Sequence, residues 1–293
     1  DAVSRFDIDV REKDETVAKM LATNGGWTEP LWSRRGVEIS KSGKVLLCKD
    51  CGVARPLPRQ LHPACISCGS TLRDDSLVSV ITKSRPSAAN WAPFIAGEDV
   101  RRYDARPSRW IRTEVNGLNY KKDMPSSEAR LLVRKTGIGL NAAVVTEKAY
   151  SNQVVFEYGI LRSDQFDFNY LHYVLGVLCS RVLFAFHLKR TGEMEWRSHP
   201  YVTQRTLAEL PIPVPMRNTQ QWRQATAIAQ AVGCRLQSGE HDIEIESLVG
   251  GLYGLSTSDM RWALDVIDGA ADLEPMRVLR LPQTIEIAPI LVR

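Results

Sequence analysis

Residues 46–70, "LLCKDCGVARPLPRQLHPACISCGS", hold four of the chain's six cysteines, as Cys48-x-x-Cys51 and Cys65-x-x-Cys68. Residues 52–64 separate the pairs, and a glycine follows each one, Gly52 and Gly69. A Cys-x-x-Cys pair on a tight turn lets backbone amides point at sulfur, and glycine permits that turn. Two such pairs supply the four thiolates of a tetrahedral zinc site of the ribbon type. A redox Cys-x-x-Cys needs no second copy, and iron–sulfur clusters favour other spacings. Four thiolates leave no open position for water, so the expected role is structural. His62 lies between the pairs, but four cysteines already complete the shell. The stapled loop carries Arg55, Arg59 and His62, which are able to reach a nucleic acid or simply to face solvent.

Outward from this loop, 293 residues at 44% hydrophobic content suffice for a sizeable core, and 25% charged content excludes wholesale disorder. The longest apolar run, "YLHYVLGVLCSRVLFAFHL" (170–188), is broken by His172, Arg181 and His187. It reads as a buried helix rather than a membrane span. The polar opening "DAVSRFDIDVREKDE" has no apolar segment of the kind a secretory leader needs, and a start at Asp1 is expected of a piece of something longer. Six cysteines are too few for a disulfide scaffold and point to a reducing, cytoplasmic setting.

Charge is unevenly distributed. Residues 30–135 carry 20 Lys and Arg against 10 Asp and Glu, residues 136–235 carry 10 against 7, and residues 236–293 carry 4 against 10. A basic middle with acidic ends suits a polyanionic partner, because cations that neutralise phosphates release condensed counterions. A solvated basic surface is the plainer alternative.

Residues 1–29 are polar, end in "TNGGWTEP", and read as an N-terminal segment or linker. "RRGVEISKSGKVLLC" alternates around a "KSGK" turn and predicts a hairpin into the first knuckle. "SLVSVITK", "EARLLVRKTG" and "AAVVTEKAYSNQVVFEYGI" predict strands. From Asn169 to Leu188 the period becomes helical, with residues 164–167 as capping candidates. "TLAELPIPVP" predicts an extended strand stopped by Pro211, Pro213 and Pro215. Beyond it come a helix over "MRNTQQWRQATAIAQAVGCRLQSG" and two short helices about a Gly-Leu-Ser turn. The expected fold is α+β: a mixed, β-rich domain over 30–215 with a zinc-ribbon insertion at 48–68, then a helical part over 216–293.

Several chemistries are absent. Gly137-x-Gly139-x-x-Ala142 imitates a dinucleotide loop, but the helix that should follow is replaced by the β-branched "AAVVTEKAY". No Walker loop, no Gly-x-Ser-x-Gly elbow and no His-Glu-x-x-His helix occurs. The loop "LKRTGEMEWRSHPYVTQRT" is polar and basic at both ends, and offers Trp196 and Tyr201 for stacking.

Taken in order, "RRGVEISKSGK", "PFIAGEDVRRY", "RWI", "LLVRKTGIGLNAA", "YSNQVVF", "YLHYVLGVLCSRVLFAFHL", "TLAELPIPVP" and "IEIESLVGGLYGLSTSDM" run from Arg34 to Met260, within an order that extends over about residues 34–267. This series resembles the C-terminal specificity (target-recognition) region of TaqI-like, adenine-N6-specific DNA methyltransferases, including fused restriction–modification enzymes. The resemblance implies sequence-specific binding of double-stranded DNA, with a methyltransferase catalytic domain or subunit as partner and no role for a membrane. The family's Asn/Asp-Pro-Pro-Tyr/Phe motif and its glycine-rich S-adenosylmethionine loop are missing, so S-adenosylmethionine enters only through a catalytic domain outside this chain. No residue is assigned catalysis, and whether the chain is itself an enzyme stays open. The metal ligands expected from the spacing are Cys48, Cys51, Cys65 and Cys68. The candidate DNA contacts are Arg34, Arg35, Lys41, Lys44, Arg101, Arg102, Arg134 and Lys135, with Arg190, Glu195, Arg197 and His199 in the polar loop. Three alternatives stand beside it: a separate specificity subunit of a multi-subunit restriction system, a zinc-ribbon protein–protein adaptor, and an enzyme of unrecognised chemistry.

Overall fold

The change of period seen in the sequence orders the elements: strands dominate up to residue 160 and helices thereafter. The computed structural model describes residues 15–40, 42–57, 64–121, 129–137, 139–162, 164–191 and 201–269. The first half contains α1 (Glu15–Leu21), β1 (Leu31–Arg35), β2 (Lys44–Leu47), β3 (Ala54–Pro56), β4 (Leu77–Ser79), β5 (Ile81–Thr82), β6 (Trp91–Ile95), β7 (Val100–Arg101), β8 (Asp104–Ala105) and β9 (Arg109–Arg112). Then come β10 (Arg130–Arg134), β11 (Ala142–Val145), β12 (Tyr150–Ser151) and β13 (Val155–Ile160). The helical part comprises α2 (Tyr170–Leu178), α3 (Arg181–Thr191), α4 (Gln204–Ala208), α5 (Gln220–Ser238), α6 (Asp242–Leu252) and α7 (Thr257–Gly269).

The central sheet has the order β1-β13-β10-β11 and is antiparallel throughout. Because β1 and β10 both oppose β13, they run the same way and finish at one end of the sheet. Arg35 there faces Phe156, and Arg134 faces Val155. β10 is apolar on both faces, which is why "LLV" does not alternate. Leu131 and Val133 join the main core, while Leu132 joins a second cluster with Ile95 and Val155.

A second sheet, β12-β6-β9-β5, and a third, β3-β2-β4, share a further core that includes Val37, Val45, Ala54, Ile81, Phe94 and Ile111. The cysteine loop is thus rooted in a small sheet of its own that packs on the body. The expected hairpin over "RRGVEISKSGKVLLC" does not form. β1 pairs instead with β13, far along the chain, and β2 pairs with β3 just beyond the first cysteine turn and with β4.

Asn169 caps α2, its side chain accepting from the His172 amide at 3.1 Å. The apolar run then bends by 59° between α2 and α3, about Cys179 and Ser180. α2 packs closely on α5 at Gly176, where a Cβ would lie 2.6 Å from the Ile228 side chain and 2.8 Å from Val232. No single helix among the described residues is long and apolar enough to cross a membrane.

Two further expectations need correction. Of the N-terminal segment or linker, the described part, residues 15–29, is anchored to the core: Val17, Met20 and Trp27 are buried, and Trp27 Nε1 donates to the Leu207 carbonyl at 2.7 Å. The "TLA" of this stretch ends helix α4 rather than opening a strand, since Thr203 accepts from the Thr206 amide at 3.0 Å and starts α4. Residues 209–215, in which three prolines lack an N–H, pair with a strand-like partner only through the isolated bridge Gly26↔Pro213. The main core draws residues from Val17 to Val266, so packing continues across position 215 into the helical part.

Candidate metal centre and nucleic-acid interface

Cys48 follows β2 directly, and each cysteine pair closes the same turn. The Gly52 amide donates to the Cys48 carbonyl at 2.9 Å, and the Gly69 amide to the Cys65 carbonyl at 2.8 Å. Gly52 and Gly69 have φ of 70° and 77°, a region L side chains rarely adopt. The four sulfurs lie within 4.8 Å of one another. Cys48 and Cys68 sulfurs are 3.6 Å apart, and Cys51 and Cys65 sulfurs 3.7 Å. A tetrahedral zinc with bonds of about 2.3 Å needs sulfurs about 3.8 Å apart, so the donor set fits.

Its electrostatics fit as well. Amides of Cys68 and Ser67 face the Cys65 sulfur and lower its pKa to about 6. The Ser70 hydroxyl and amide lower that of Cys68. At Cys51 the Val53 amide acts to lower the pKa, but burial and three neighbouring sulfurs outweigh it and raise the thiol to about 12. Without a cation, four sulfurs this close do not all ionise; a divalent ion removes that conflict. Cys48 and Cys65 are buried and Cys68 is exposed, so the site lies at the rim of the small sheet.

The candidate basic residues divide into two groups. Two of them, Arg34 and Arg102, are engaged by partners within the fold. Arg34 Nε donates to Glu157 at 2.7 Å and Nη1 to the Lys121 carbonyl at 2.6 Å. Glu157 is 2% exposed and also takes Arg130 Nη1 at 3.0 Å and the Ser151 hydroxyl at 2.7 Å. Arg102 Nε donates to the Cys179 carbonyl at 2.7 Å, and its other nitrogens face Asp242 at 3.5 Å and Glu246 at 3.2 Å. Both arginines join elements by pairing with buried carboxylates, and such pairing is invisible along the sequence.

The other group gathers at the end of the central sheet where β1 and β10 finish. Arg35 donates from Nε and Nη2 to the Gln153 carbonyl at 3.2 Å. Arg134 and Lys135 leave β10 beside it. The Val202 amide donates to the Lys135 carbonyl at 2.8 Å, Thr136 bridges Tyr201, and Lys135 Nζ lies 5.8 Å from the Tyr201 ring centre. Tyr201 is 54% exposed, so this cation–ring pair faces solvent. Arg101, exposed on β7, is within electrostatic reach of Arg134. Arg190 is exposed in the last turn of α3. Lys44 is exposed at the start of β2, away from this cluster and beside the cysteine sheet. Lys41, Arg59, His62, Glu195, Trp196, Arg197 and His199 lie outside the described residues.

One surface went unread in the sequence. On β9, Ile111 faces the core while Trp110 and Arg112 alternate to the opposite face, and Arg85 lies 5.0 Å from the Trp110 ring centre. The alternation in "RWIR" was the available signal.

No curated protein matches the chain. Among solved structures it aligns with the Type IIL restriction-modification enzyme MmeI in complex with DNA, at 11% identity and a TM-score of 0.36. The alignment covers 64% of this chain and 31% of that one, so this chain spans less than a third of that enzyme's length. The resemblance read from the ordered motifs is shown for the middle of the chain: residues 92–212 match the family of TaqI-like C-terminal specificity domains.

Proposed function

We propose that this chain reads double-stranded DNA as the specificity part of an adenine-N6 methyltransferase in a restriction–modification or related phage-defence system. Its catalytic part, with the S-adenosylmethionine pocket, lies outside this chain. The family match over residues 92–212 carries this reading. It is supported by the convergence of Arg35, Arg134, Lys135 and Tyr201 at one end of the central sheet. A methyltransferase that flips its target base needs a separate surface to choose the site. Phosphate contacts set register and a few side chains at base edges set sequence. The cations at the sheet end suit the first task. Glu195, Arg197 and His199 offer both donors and acceptors and suit the second; they lie in the segment between Arg190 and Tyr201.

We infer zinc as the ion held by Cys48, Cys51, Cys65 and Cys68, supported by the sulfur spacing. Its contribution is to hold the loop on β2, with no chemical step of its own.

Titration of a labelled duplex at several salt concentrations tests the reading. Binding whose logarithm falls steeply with the logarithm of salt is the expected result. A chain that binds no duplex at low salt, while remaining folded, refutes it and favours an adaptor role for the cysteine sheet.

A further inference from the structure

The glycine-rich turn that imitates a nucleotide loop has a different neighbour. Gly137 has φ of +106°, and a Cβ there would lie 3.2 Å from Cζ and Nη2 of Arg134. The bare backbone of Gly137 thus forms a seat for that guanidinium. The Nε–H of Arg134 is buried and meets no acceptor among the described residues. Arg134 contrasts here with its internal counterparts. Arg34 and Arg130 share Glu157, and Arg102 has Glu246. Nearby Glu98 accepts from Arg109. Burial, the largest cause, lowers the Arg134 pKa; Glu98 opposes this and Arg101 adds to it.

We propose that Arg134, seated on Gly137, is a preformed anchor for one phosphate of the DNA backbone. The inference rests on the DNA reading above and assigns it a particular residue. A buried charged donor without an acceptor is costly, and an incoming phosphate oxygen removes that cost. The planar guanidinium fork matches phosphate geometry, and its orientation is fixed before the ligand arrives. Arg101 and Lys135 add positive charge beside it, which favours a phosphate over a base edge. Gly137 is a positioning residue in this scheme: it leaves room for the guanidinium and touches no ligand.

The test uses the full chain and a fluorescently labelled duplex of random sequence. Arg134→Ala should melt close to the wild type, because Arg134 Nε makes no hydrogen bond among the described residues. Its salt slope should fall by about 0.9, so the loss of affinity between 50 and 200 mM salt shrinks by about 3.5-fold. The weakening should be equal on every sequence tried. Arg134→Lys should keep most of the slope yet bind more weakly than wild type, since an ammonium lacks the fork. In nitrogen-15 NMR, the Arg134 Nε–H signal, identified by its absence in Arg134→Lys, should shift and exchange more slowly when duplex is added. If wild type binds duplex but Arg134→Ala keeps its slope and affinity, or the Nε–H signal does not move, the anchor is refuted and DNA reading survives. Wild type that binds no duplex overturns the DNA reading itself, a result separable from the first.

Discussion

Arg102→Ala separates a structural arginine from a DNA-binding one. Glu246 is fully buried and accepts the Arg181 amide at 3.0 Å on both oxygens, with Arg102 Nη2 at 3.2 Å and Arg181 Nη1 at 3.6 Å. Removing Arg102 deletes one of two cations facing a carboxylate that water does not reach. It also deletes the hydrogen bond to the Cys179 carbonyl and the packing over the Tyr103 ring at 4.9 Å. Breaking a buried pair costs about 3–5 kcal/mol. Arg181 remains, and the Arg102 side chain is 22% exposed, so the lower end applies. About 3 kcal/mol corresponds to a fall in Tm of roughly 6–12 °C for a chain of this size. Arg101→Ala, at an exposed neighbouring position, should stay within about 0.5 kcal/mol of wild type. Urea unfolding followed by tryptophan fluorescence, with thermal scans, measures both. An Arg102→Ala protein that unfolds at the wild-type midpoint but loses DNA affinity would refute the internal role and return Arg102 to the DNA-binding surface.

The cysteine site should carry about one zinc per chain, and Cys48→Ser or strong chelation should unfold the β3-β2-β4 sheet. Structural zinc in small fingers contributes roughly 10–16 kcal/mol of apparent binding energy, and elemental analysis with circular dichroism reads the outcome. Asp259 provides a pH test. Burial acts to raise its pKa, but hydrogen bonds from Lys19, Ser256 and Thr16 outweigh that and hold it well below the usual aspartate range. A carboxylate depressed in the fold contributes stability above its unfolded pKa and loses it as pH falls through the folded one. The attachment of α1 to α7 should therefore weaken as pH falls below about 4. Asp259→Asn should lower the urea midpoint at pH 7 and flatten this acid dependence.

What could be read along the chain was local. The cysteine pairs with their glycines and the change of period after residue 160 depend on neighbours a few residues apart, whereas the cap of α2 is Asn169 and not the expected residues 164–167. The capping signal Thr203-x-x-Thr206 was equally local, but the three prolines beyond it suggested a strand. The partners of Arg34 and Arg102 were beyond reach, because Glu157 and Glu246 lie 123 and 144 positions away. Charge alone does not distinguish an arginine facing a carboxylate from one facing solvent. The role of Gly137 was hidden for the same reason. Its glycine-rich pattern was visible, but the guanidinium that fills the space above it comes from a strand end whose course depends on sheet pairing.

The double burial of β10 has a consequence for how such a surface can change. Arg134 and Lys135 emerge from a strand clamped between two apolar clusters, so their backbone positions inherit the stiffness of both. Under the proposed DNA reading, substitutions in the segments beyond this strand are free to alter which bases are met while the reference point stays fixed. Under the same reading, a substitution at buried Leu132 would move that reference point and blur recognition at every base position at once.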